Sequence, residues 1–175
     1  MSYQSWSVVF SEQPSAAKWN ILGTNDSTFN TLLGTYGVKN PYCFRAYDSA
    51  GTTLTDAIVT KINLATEEYD YNNNFTGSTY TCPVAGVYHF DGRFSLGTTS
   101  GASLGLAFIY KNGTSAIRGG AYLPTSNFGF AVGGDLLCAA GDTIELYGFQ
   151  DSAGNEATTT GSAETFLSGH LVHAV

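Results

Sequence analysis

The chain has 175 residues, a formal net charge of -7, and 12% charged residues against 43% hydrophobic and 14% aromatic. That balance excludes a disordered chain, which carries much charge and little apolar surface, and the length allows a core without covalent staples. Only seven Lys and Arg are present, too few to neutralise a phosphate backbone, so nucleic acid is excluded as a partner.

Met1–Trp6 contains neither the basic nor the apolar region of a secretory signal. No apolar run reaches the roughly 18 residues of a membrane span. The expectation is a protein made and kept inside a cell until assembly or lysis, without membrane insertion. Residues 1–40 read as an attachment segment. Trp6–Phe10 is a short strand candidate, and the polar stretch Ser11–Asn40 carries only scattered apolar anchors, Trp6, Trp19, Ile21, Leu22 and Phe29 chief among the segment's set. Such a segment buries too little to fold alone and is expected to pack on a larger body. Pro41, within Gly37–Tyr42, marks the boundary to residues 41–175.

Beyond that boundary no sustained helical spacing occurs, and short alternating runs are separated by Gly, Asn, Asp and Ser. Strands are expected at Tyr42–Asp48, Leu54–Leu64 and Tyr80–Pro83. Glu67, Glu68 and Asp70 read as a loop of solvated charge. Val87–Leu96 alternates, with Tyr88, Phe90 and Phe94 on one face and His89, Asp91 and Arg93 on the other. Leu104–Tyr110 is apolar on both faces and ends at Asn112-Gly113, a pair suited to the positive φ angles of a tight hairpin. Thr143–Phe149 and Glu164–Val175 follow. Many short strands with turns between them define an all-β sandwich or barrel.

Candidate chemistry is sparse. Cys43, Cys82 and Cys138 are odd in number and form no CxxC pair, so they read as thiols packing as small hydrophobes. A Cys43–Cys138 bridge is the one pairing left open. His170 and His173, three apart on a strand, are expected on opposite faces. No Gly-x-Ser-x-Gly elbow, P-loop or His-Glu-x-x-His occurs, and no catalytic residue is expected. The loops Asn72–Ser78, Thr98–Ser103, Pro124–Phe128 and Ser152–Gly161, rich in Asn, Ser, Thr and Gly, are the expected recognition elements.

The run Tyr69-Asp70 … Tyr80-Thr81-Cys82-Pro83-Val84-Ala85-Gly86-Val87-Tyr88-His89-Phe90 resembles the signature of the globular head of complement component one, subcomponent q, and the related tumour-necrosis-factor jelly rolls. Gly141–Leu146 resembles a late turn and strand of that head, and Thr165–Val172 its closing strand. Tyr80, Gly86, Tyr88 and Phe90 then read as fold-signature residues, Gly86 allowing the turn into its strand. The resemblance implies a jelly-roll β-sandwich and a homotrimer. Phe44, Leu106, Phe108, Tyr110, Phe166, Gly169 and Leu171 are the expected contributors to the threefold seam, and Gly169 is expected to let the last strand pass close to a neighbour. The chain departs from the family in lacking a Gly-x-y stalk ahead of the head and in a longer Asn72–Thr79 loop. The carboxylates do not match the calcium sites of complement-type heads, so neither metal nor cofactor is expected.

Lys18-Trp19-Asn20-Ile21-Leu22-Gly23-Thr24-Asn25-Asp26-Ser27-Thr28-Phe29-Asn30 is similar to a stretch found in tail, fibre and other virion proteins of bacteriophages. Together these resemblances imply a structural virion protein, made in the host cytoplasm. Its trimeric head would be joined through residues 1–40 to other virion proteins and meet a host surface glycan or receptor. The alternative is a glycan-binding adhesion module outside any virion, and a depolymerase is the reading with least behind it.

Overall fold

The computed structural model describes residues 40–97, 104–122 and 128–175, and every strand below lies in the compact unit Tyr42–Val175. In chain order these are β1 (Cys43–Tyr47), β2 (Thr53–Leu54), β3 (Thr60–Lys61), β4 (Thr66–Asp70), β5 (Phe75–Thr76), β6 (Thr79–Thr81), β7 (Gly86–Leu96), β8 (Leu104–Lys111), β9 (Thr114–Tyr122), β10 (Phe128–Cys138), β11 (Thr143–Gln150), β12 (Glu156–Ala157) and β13 (Phe166–Ala174). The described residues contain no helix. A five-stranded sheet in the order β10-β7-β13-β1-β4 faces a second sheet in the order β5-β6-β11-β8-β9, with β3 also on β11, and all these pairings are antiparallel.

Alternation drives this arrangement. In β7 the residues Tyr88, Phe90 and Phe94 are buried while Val87, His89, Asp91 and Arg93 are not, and in β11 Ile144 and Leu146 alternate with half-buried Thr143, Glu145 and Tyr147. The inward side chains of both sheets meet in one core that includes Phe44, Tyr80, Tyr88, Phe90, Phe94, Ile109 and Leu146. Aromatic rings fill its middle: Phe44 stacks on Tyr80 with centroids 4.1 Å apart, and Tyr88 stacks on Phe90 at 5.9 Å. The turn after β8 takes positive φ at both Asn112 (51°) and Gly113 (75°), as the Asn-Gly pair foretold.

Several expectations change. Leu54–Leu64 is not one strand: Ala57 has a φ of 56°, and the run divides into β2 and β3. Glu67, Glu68 and Asp70 lie on the edge strand β4 rather than in a loop. Phe44 is 0% exposed and Gly169 is enclosed, its missing Cβ being the space that the Phe90 and Phe44 rings occupy. Both were expected at a threefold seam, and both instead belong to the interior of a single chain. Gly86 has no positive φ. A Cβ there would meet the His173 carbonyl at 2.5 Å, so it permits the close approach of β13 rather than a turn. Tyr80, Tyr88 and Phe90 are each 0% exposed.

Candidate functional site

The outer face of the five-stranded sheet gathers most of the chemistry-bearing side chains. Antiparallel register places Asp135, His89, His170 and Cys43 in one row across β10, β7, β13 and β1. Gly133, Asp91, Ser168 and Arg45 form the next row. The His89 ring lies between two carboxylates, with Nδ1 2.7 Å from Asp135 Oδ1 and Nε2 3.1 Å from Asp91 Oδ2. Only the protonated imidazole donates from both nitrogens. The Asp135 hydrogen bond accordingly raises the His89 pKa above its ordinary value, against a smaller opposing effect of burial, and Asp91 adds to it. The His170 ring stands 5.7 Å from that of His89.

His173 joins this face, contrary to the expectation from spacing. A bulge between Leu171 and His173 inserts a residue into β13, so Leu171 pairs with inward Tyr88 and His173 with outward Val87. All three histidines of the chain are therefore on one side of one sheet. At the same end, exposed Leu137 pairs with Val87 beside exposed Val172. At the other end, Arg45 is the organising cation. Its guanidinium lies 3.9 Å over the Phe166 ring, its Nε is 2.9 Å from Glu68, and its Nη2 donates to the Ser162 carbonyl at 2.7 Å.

The six-stranded sheet presents a different outer surface. Leu106, Phe108 and Tyr110 share it with Glu145, Tyr147 and Phe149. Tyr110 and Tyr147 stack at 4.1 Å. Burial alone would raise the Glu145 carboxyl, but hydrogen bonds from Lys61 (2.7 Å), Thr79 (2.9 Å) and Tyr147 (3.2 Å) outweigh it and hold the group below the ordinary carboxylate range.

The residues expected to form one seam are thus dispersed. Phe44 and Gly169 are internal, Leu171 packs against the core, Phe166 lies on the five-stranded face, and Leu106, Phe108 and Tyr110 lie on the six-stranded face. A threefold contact is heterologous and pairs two unlike patches, so occupation of both outer faces is compatible with it. The anchors Trp6, Trp19, Ile21, Leu22 and Phe29 lie outside the described residues, as do Thr98–Ser103 and most of Pro124–Phe128. The other two loops are tied inward. Ser78 Oγ accepts from Leu64 N at 2.8 Å, and Ser152 Oγ donates to buried Gln150 at 2.6 Å. Among the described residues no group of three or more His, Cys, Asp or Glu is arranged to hold a metal ion, and no helix is long and apolar enough to cross a membrane.

The strand order and two facing sheets define a jelly-roll β-sandwich. Solved structures of that type are similar to it along most of its length. The globular domain of zebrafish complement 1qA protein is 15% identical, covers 77% of this chain and 99% of its own, and superposes with a TM-score of 0.58. Eiger TNF from S. frugiperda is 8% identical with coverages of 77% and 94% and a TM-score of 0.61. Murine APRIL at pH 5.0 is 12% identical with coverages of 75% and 98% and a TM-score of 0.58. At these identities the likeness is one of fold. No family model and no curated protein matches the sequence.

Proposed function

We propose that this chain is the trimeric head of a bacteriophage virion protein, joined to the particle through residues 1–40 and acting by assembly and surface contact rather than catalysis. The observation that carries the assembly reading is the exposed apolar corner of the five-stranded sheet. Leu137 is 65% exposed and Val172 56% exposed, flanking Val87, in a chain of only 12% charged residues. Apolar surface of that kind marks an interaction site, and sister copies of a jelly roll are the partners that the family resemblance supplies. The virion reading is supported by the Trp19–Asn30 stretch and by nothing in the head itself.

Sedimentation of the full chain tests the assembly. A mass three times the 18.5 kDa chain is expected, and L137K combined with V172K should drive it to single chains while circular dichroism stays unchanged. A monomeric wild type at micromolar concentration overturns the reading. Deletion of residues 1–40 should abolish incorporation into particles while leaving the oligomer intact. The second reading, a glycan-binding module, draws on the half-exposed Tyr110–Tyr147 stack beside the Lys61–Glu145 pair. A glycan array returning no ligand that Y110A or Y147A weakens would dispose of it.

A further inference from the structure

Two of the three cysteines meet inside the core. Cys82 follows β6 in the six-stranded sheet, and Cys138 ends β10 at an edge of the five-stranded sheet. They are 0% and 1% exposed. The backbone brings them together. Cys82 N donates to the Asp142 carbonyl and the Cys82 carbonyl accepts from Gly141 N, both at 2.8 Å, so Cys82 is clamped to the turn that leaves Cys138. That turn is closed by Ala139 N donating to Asp142 Oδ2 at 2.9 Å. The Cys82 and Cys138 side chains belong to the same buried core cluster, and the Cys138 thiol turns towards the Leu136 carbonyl at 3.8 Å. Both are reduced. Cys43 stands apart, facing outward from β1 opposite exposed His170, so the Cys43–Cys138 pairing left open by the sequence would have to cross a sheet.

We propose that Cys82 and Cys138 are a redox-active pair, which a disulfide oxidant such as oxidised glutathione converts into an intramolecular disulfide joining the two sheets. Cys138 attacks first, because the Lys111 ammonium is held beside it, 2.7 Å from the carbonyl of the preceding Leu137 and 2.9 Å from Asp142. Its thiolate displaces one glutathione thiolate and leaves a mixed disulfide on Cys138. The Cys82 thiol then gives up its proton and attacks the Cys138 sulfur, expelling the second glutathione thiolate. Two protein S–H bonds become one S–S bond, and the oxidant's S–S bond becomes two S–H bonds. Burial holds both thiols above their ordinary pKa, so the exchange proceeds through local opening of the turn or during folding. The closed loop spans about 57 residues, and the thermal midpoint is expected to rise by roughly 10 °C.

The test uses the full chain, incubated folded with oxidised glutathione and, in parallel, refolded from denaturant in the same oxidant, then acid-quenched and weighed. The expected product is two hydrogens lighter than the reduced chain, leaves one alkylatable thiol, and yields a crosslinked peptide pair holding Cys82 and Cys138 that dithiothreitol separates. C43A should form the same product, whereas C82A and C138A should stop at glutathione adducts. Adducts alone, unchanged chain in both arms, or a crosslink through Cys43 would overturn the proposal.

Discussion

Thr158 Oγ1 donates to Asp48 Oδ2 at 2.7 Å across 110 residues of sequence. The same carboxylate, 0% exposed, accepts from the backbone of Ala50, Gly51 and Thr52 and from Thr52 Oγ1, at 2.7 to 3.0 Å. Burial alone would raise the Asp48 carboxyl, but these donors outweigh it and hold the pKa below the ordinary value. Asp48 therefore ties the exit of β1 to the segment after β12.

Asp48→Ala strands all of those donors and should destabilise the fold by about 3–5 kcal/mol, a large share of the roughly 5–15 kcal/mol that holds a typical domain together. Thr158→Val removes both the bond to Asp48 and the one that Oγ1 accepts from Thr52 N at 2.8 Å, and should cost about 1–3 kcal/mol. Because the folded-state pKa is depressed, the stabilisation is present above the unfolded value near 3.9 and is lost as pH falls through the folded one. Urea titrations at successive pH values should show this loss below about pH 4, and it should be absent in Asp48→Ala.

Tyr80 makes the opposite prediction. Its ring fills the centre of the core, yet its hydroxyl is buried with no hydrogen-bond partner. Tyr80→Phe keeps the stack on Phe44 and removes a polar group that gains nothing on folding. The variant should be more stable by about 1 kcal/mol, measured as a higher urea midpoint with an unchanged slope. A drop in stability would mean the hydroxyl has a partner.

Gly169 separates an interior role from a seam role. A Cβ there would run into the Phe90 ring and approach Phe44 to 3.0 Å. Gly169→Ala should cost about 1–3 kcal/mol by overpacking, with the subunit affinity of any oligomer unaltered once the chain is folded. A variant with wild-type stability but weakened association would return Gly169 to the seam.

Sequence pattern foretold the long strands because period-two alternation reports directly on burial, as in β7 and β11. It missed β10, whose outward positions include Gly129, Ala131 and Gly133. Small residues facing water do not contrast with the apolar ones facing in. It missed β4 because Thr66-Glu67-Glu68-Tyr69-Asp70 is an edge strand with little to bury. The side of the sheet on which His173 lies depends on one inserted residue in β13, and a bulge has no signature in a periodicity. Phe44 was legible as apolar, but which face it took depended on strand parity that only the pairing of β1 with β13 decides.

The clamp on His89 gives the final prediction. The groups facing its ring are Asp135 from β10, Asp91 on its own strand and His170 from β13. Because the Asp135 hydrogen bond raises the folded pKa, the clamp's stabilisation is present in full below the unfolded value near 6.5 and is lost as pH rises through the folded value. The His89 side chain is 35% exposed, so solvent screening keeps this contribution under about 1 kcal/mol in the single chain. NMR titration should place His89 above 6.5 in wild type and lower in Asp135→Asn. If the face closes against sister copies, losing the His89 proton leaves Asp91 and Asp135 uncompensated in a dry contact, where the penalty grows. Sedimentation should then show tighter assembly at pH 5.5 than at pH 8.5, with the difference much reduced in Asp135→Asn. Assembly that is independent of pH across that range would place this row of side chains outside the contact.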